Sequence, residues 1–225
     1  MEKVETGKIL RSRRRTIALV ITGDARLEVR APLDAPAEAI ESFVAKKSRW
    51  ISRKIAEVAA RPKPRIKIFE EGEEFLYLGR LYPLSIVGTI DIPLLFDDHF
   101  YLALSRKTDA RELFSGWYRD RAVAVIKERL DLCASLNGIR YDKFNISNAC
   151  SKWGSCAGGG DLRFSWRLVM APLSVIDYVV AHELAHIYRK DHSKRFWESV
   201  EKLFPLYRES VRWLKDNGHL LAAVL

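Results

Sequence analysis

The helix opened by Pro172 and Ser174 constrains this chain more than any other stretch, because it carries two histidines and a glutamate within an apolar segment. Val179, Val180, Leu184 and Ile187 cover its other faces, so the helix is expected to be largely buried, and a buried imidazole needs a partner. The polar residues are spaced as His182-Glu183-Leu184-Ala185-His186. Four residues make just over one helical turn, so both imidazoles leave the same face and can share one metal ion. Asp177, three residues after Ser174, gives the expected capping box at the helix start.

A catalytic zinc usually takes three protein ligands and keeps one position open. His192 follows His186 by six residues, the spacing of H-E-x-x-H-x-x-G-x-x-H, although Arg189 stands where that pattern has glycine. Lys190-Asp191 can supply the turn instead. His192 is the preferred third ligand, with Glu198 or Glu201 of the next amphipathic helix as alternatives. Imidazole donors with an open position suit Zn2+, and iron, cobalt or nickel fit the same set. Glu183 sits beside the first ligand, off the metal but near a bound water, and is expected to take the proton of the attacking water. Tyr178, Tyr188, Tyr207, Arg163 and Arg167 are the candidates for contact with substrate or oxyanion.

Elsewhere the patterns predict an α+β chain. Ile17, Leu19 and Ile21, then Leu27 and Val29 after Gly23-Asp24, read as a hairpin. One helix is expected from Asp34 and Pro36 to Ile55, stopped by Arg61-Pro62-Lys63-Pro64. Short strands follow at Ile66/Ile68, Phe75–Leu78, Tyr82–Val87 and Phe100–Leu104. A long helix then buries a face from Phe114 through Trp117, Tyr118, Ala122, Val125, Ile126, Leu132 and Cys133 to Leu136, ending at Asn137-Gly138. A strand at Ile139–Ile146 precedes Cys150-Ser-Lys-Trp-Gly-Ser-Cys156. Leu162, Phe164, Trp166 and Leu168 alternate with Arg163, Ser165 and Arg167 on a half-buried strand that could pair with an extended peptide. The division is expected at 105–106, between a β-rich basic N-terminal region with one helix (1–105) and a C-terminal domain (106–225) whose H-E-x-x-H helix packs on a small sheet.

Charge is uneven. The first 67 residues hold 17 Lys/Arg against 8 Asp/Glu, whereas residues 68–100 hold 1 against 7. Arg11, Arg13, Arg14 and Arg15 could grip phosphates of a nucleotide or nucleic acid, or form a solvated hairpin end. Three cysteines are an odd number and too few for a disulfide scaffold, no apolar run reaches membrane-spanning length, and the N-terminus lacks a secretory apolar stretch. A cytoplasmic setting is the default reading. Cys150 and Cys156 have a poor spacing for a second metal site.

These residues together resemble the YgjP-like metallopeptidase family, related more loosely to SprT-type zinc proteases. Matching stretches include Arg11-Ser12-Arg13-Arg14-Arg15-Thr16, Tyr77-Leu78-Gly79, Lys152-Trp153-Gly154-Ser155-Cys156, Ala171-Pro172, the helix from Tyr178 to His186, and His192-Ser193-Lys194-Arg195-Phe196-Trp197. Two positions depart: Lys152 where the family usually has arginine, and Ser165 where it has asparagine. The resemblance implies a zincin-like C-terminal domain and metal roles for His182, His186 and His192. It leaves the substrate open. A zinc peptidase is the first reading, a metal-dependent nucleoside triphosphate hydrolase the second, and a non-catalytic, metal-stabilised nucleic-acid-binding module the third. Glu183 disfavours the third, since a structural site has no use for it and is usually closed by four ligands.

Overall fold

The computed structural model describes residues 7–61, 66–88 and 91–222. Contacts divide the chain into two compact units, Met1–Lys63 and Pro64–Leu225. In the first, β1 (Ile9–Ser12), β2 (Ala18–Ile21) and β3 (Leu27–Pro32) form a sheet of order β1-β3-β2. β2 and β3 make the expected hairpin, with Leu19 opposite Val29 and Ile21 opposite Leu27. The single helix expected next is two, α1 (Ala37–Lys46) and α2 (Ser48–Ala59), because Lys47 leaves helical geometry at φ −104°, ψ 8°. Leu27, Val29, Ile40, Val44 and Ile51 form the core. Arg11, of the cluster that could grip phosphates or form a solvated hairpin end, donates to the carbonyls of Pro32, Leu33 and Ala35 at 3.2, 3.1 and 2.7 Å. The expected helix stop at Pro62–Pro64 lies outside the described residues.

In the second unit, β4 (Glu74–Tyr77), β5 (Arg80–Val87), β6 (Leu94–Phe96) and β7 (Phe100–Ala103) form a sheet of order β4-β5-β7-β6. Ile66 and Ile68 do not form the expected strand. The Glu73 carboxylate accepts the amides of Ile68 and Phe69 (3.1 and 2.6 Å), so those donors are satisfied without a ladder. After a 3-10 turn, α3 (Ala110–Leu136) runs to Asn137 and Gly138, whose φ of +62° is the left-handed step that ends a helix. Its buried stripe is Phe114, Tyr118, Ala122, Ile126, Leu130 and Ala134. Leu132 and Leu136, expected on that face, are exposed because they lie off this stripe.

Phe75, Phe100 and Phe114 interlock between sheet and α3, and the Tyr118 hydroxyl donates to Leu76 O at 2.8 Å. The strands of residues 74–103 therefore share one core with the helices that follow. For that reason contacts place the division at Lys63, whereas the sequence pattern alone suggests 105–106.

The remaining sheet has the order β8-β10-β9, from β8 (Lys143–Ser147), β9 (Gly154–Cys156) and β10 (Asp161–Ser165). β10 is shorter than expected: Trp166–Met170 is a buried 3-10 turn. Ser165, expected outward with Arg163, is buried, its hydroxyl donating to Ala149 O at 2.7 Å and its amide to Trp153 O at 2.8 Å. Then come α4 (Leu173–Tyr188), α5 (Lys194–Leu203) and α6 (Tyr207–Ala222). The expected capping box is absent. Pro172 occupies the cap with no side-chain bond, and Asp177 instead accepts both arms of Arg129 from α3 at 2.5 and 2.7 Å. The start of α4 is held from a second side by the β4–β5 turn, where Leu78 and Gly79 donate to Val169 O and Met170 O (3.0 and 2.9 Å). Among the described residues no helix is long and apolar enough to cross a membrane.

Candidate metal centre

α4 packs against α3, β9, α5 and α6, and His182 and Glu183 border one cavity. The chain leaves the helix at Arg189 (φ −133°, ψ 105°) and returns His192 just before α5. The ligand-capable atoms of His182, His186 and His192 all lie within 4.8 Å of one another. His182 Nε2 and His192 Nε2 are 3.2 Å apart. Two nitrogens on one tetrahedral zinc, each about 2.0–2.1 Å from it, sit at about 3.3 Å.

The outer atoms of the rings agree with that arrangement. His186 Nδ1 lies 2.8 Å from Arg189 O. A carbonyl can only accept, so Nδ1 carries the proton and Nε2 keeps its lone pair. His182 Nδ1 has the Tyr178 hydroxyl at 3.5 Å. Burial, then the neighbouring imidazoles, push His182 down to about 4, which keeps the ring neutral as a ligand must be. The donor set therefore fits a divalent transition metal. Among the described residues no carboxylate or cysteine joins the three histidines. Glu198 faces Lys194 (3.9 Å) and Glu201 faces Arg208 (4.0 Å).

Phe196, fully buried, is the common backing of the three rings. Its centroid lies 4.9, 4.5 and 4.8 Å from those of His182, His186 and His192. In the sequence Phe196 reads as part of the family-matching His192–Trp197 stretch and of an amphipathic helix, with no sign that it backs the histidines.

Glu183 is 4% exposed, and its Oε2 has no hydrogen-bond partner. Burial raises its carboxyl to about 7, with Lys152 pulling the other way. A cavity of about 260 Å³ opens on Glu183 and His182, bordered by Lys152, Trp153, Gly154, Tyr178, Val179 and Leu214. Lys152, Trp153 and Gly154 thus form one wall of the cavity. Glycine at 154 is required because a Cβ there would lie 2.5 Å from Glu183 Oε1.

Of the other candidates, Tyr178 lines the cavity and Tyr207 stacks on it, centroids 6.4 Å apart. Tyr188 is exposed. Arg163 and Arg167 do not border the cavity. Arg167 packs over Trp166 (4.3 Å) and donates to Asn148 O at 3.2 Å.

A family model described as YgjP-like, metallopeptidase domain, matches residues 15–217. No curated protein matches. Among solved structures, the crystal structure of the metallopeptidase zymogen abylysin from Pyrococcus abyssi aligns at 23% identity with a TM-score of 0.37, covering 40% of this chain and 92% of that one.

Proposed function

Because the chain belongs to the YgjP-like metallopeptidase family, we propose that His182, His186 and His192 hold one Zn2+ and that Glu183 is the general base in hydrolysis of a peptide bond. The family carries metal-dependent peptidase chemistry in general terms. What supports the finer reading is Glu183 itself: a buried carboxylate beside an imidazole of the cluster, with an oxygen unpaired at the cavity. A structural metal site has no need of such a group.

When bound, the metal supplies Lewis acidity, which acidifies water and polarises the scissile carbonyl. The chain's own groups do the rest. Glu183, held near neutrality by burial, takes a proton from the attacking water and returns it to the leaving amine. Lys152 stands at the same cavity and offsets the charge of the Glu183 carboxylate. The Tyr178 hydroxyl, pushed up to about 12 by burial, stays protonated and can donate to the developing oxyanion.

An extended substrate needs a free strand edge. β10 cannot provide one, since β8 and β9 pair with it on both sides. β9 ends the sheet beside Glu183, which supports an extended peptide pairing along its outer edge. The pairing suggested by the Arg163–Arg167 alternation moves to Gly154–Cys156.

The test compares zinc-loaded wild type with Glu183→Gln on casein-derived peptides. Glu183→Gln is expected to keep the metal and to lose on the order of 10²-fold or more in rate. Equal rates would overturn the assignment.

A further inference from the structure

The C-terminal helix α6 supplies a second wall to the site. Tyr207, Val211, Leu214 and Gly218 recur at the spacing that keeps residues on one helical face. At one end Tyr207 stacks on Tyr178 and on Trp197, the latter at 5.5 Å and 21°. Trp197 in turn borders His182 and His192, with centroids at 5.8 and 6.0 Å. At the other end Gly218 lies against Trp153, so that a Cβ would sit 3.1 Å from the indole.

Between these ends, the stripe borders two cavities. Leu214 lines the one that opens on Glu183. Val211 lines another of about 340 Å³, with Trp197, Tyr207 and Arg208. Tyr178 borders the first and Tyr207 the second, so one ring of this stacked pair faces each cavity. The wall is anchored: Ser210, 3% exposed, donates to Ser174 O at 3.0 Å and ties α6 to the start of α4.

Val211 is 37% exposed, an apolar side chain that shares its cavity with Trp197, Tyr207 and Arg208 and that the folded chain leaves open to solvent. A concave surface of aromatic and aliphatic groups with few polar ones is built for an apolar side chain. We propose that the α6 stripe at Val211 and Leu214 determines specificity, taking a large apolar or aromatic side chain of an unfolded peptide. This rests on the peptidase reading above and names the substrate class.

The test uses short fluorescein-labelled peptides of Gly, Ser and Asn with a single central Phe, Leu, Ala or Gly. Binding is read by anisotropy on zinc-loaded Glu183→Gln, and cleavage on zinc-loaded wild type. The Phe and Leu peptides are expected to bind about 10-fold or more tighter than the Gly peptide. Val211→Trp, added to the binding variant, fills the recess from an exposed position and should abolish that preference. Val211→Ala should keep it. Equal binding of all four peptides, or an undiminished preference in Val211→Trp, overturns the proposal. Selective binding without any cleavage overturns the peptidase reading and leaves the groove standing; cleavage without side-chain preference overturns the groove alone.

Discussion

Gly154 and Glu183, 29 positions apart in the chain, occupy one space: a Cβ on residue 154 would lie 2.5 Å from Glu183 Oε1 and 2.6 Å from its Cγ. Gly154→Ala must therefore displace the carboxylate or push β9 outward. A shift of about 1 Å in a reacting group costs on the order of 10²-fold in rate. Gly154→Ala should lose that much in kcat on peptide substrates while retaining its metal by elemental analysis.

Phe196 backs all three imidazoles, so its removal should act on the metal as well as on the fold. Phe196→Ala should cost about 3–5 kcal/mol in urea unfolding. Phe196→Leu keeps most of the buried volume and isolates the other effect. Loss of the ring support should weaken metal affinity by about 10- to 100-fold in competition with a chelator.

Much of the site is local and could therefore be read in the chain. His182 and His186 share a face because of helix periodicity, and His192 follows after a short turn. What escaped depends on contacts between distant segments. Lys152 and Trp153 join the site because Ser165, buried beneath their loop, bonds Ala149 and Trp153. The alternation around Ser165 cannot show this, since it does not tell a central strand from an edge one. The same limit applies at Asp177. Its spacing from Ser174 fits a capping box, but Arg129 lies across from it and offers two charge-assisted bonds.

The tie between the β4–β5 turn and α4 should be costly to disturb. Gly79 has φ +80°, and an added Cβ would meet Pro172 Cγ at 2.7 Å. Gly79→Ala should lose about 1–3 kcal/mol of stability from backbone strain, with repulsion from Pro172 adding to it. Urea denaturation of the two proteins measures the difference.

The metal-free protein should show opposed pH dependences. His182 falls from 6.5 to about 4 in the folded chain, so its contribution is present above 6.5 and is lost as pH falls toward 4, where the unfolded state takes the proton first. Glu183 rises from 4.5 to about 7, so its contribution is present at low pH and is lost as pH rises through 7. The two oppose each other between about 4.5 and 6.5. Glu183→Gln removes one of them, and its metal-free Tm should fall more steeply than that of wild type as pH drops through this window. Parallel Tm curves would contradict these directions.

Anomalous diffraction at the zinc edge from a zinc-loaded crystal tests the centre most directly. The account predicts one ion about 2.0–2.1 Å from Nε2 of His182, His186 and His192, with no fourth side chain in its coordination sphere. An ion bound elsewhere, or a fourth protein ligand closing the site, would contradict it.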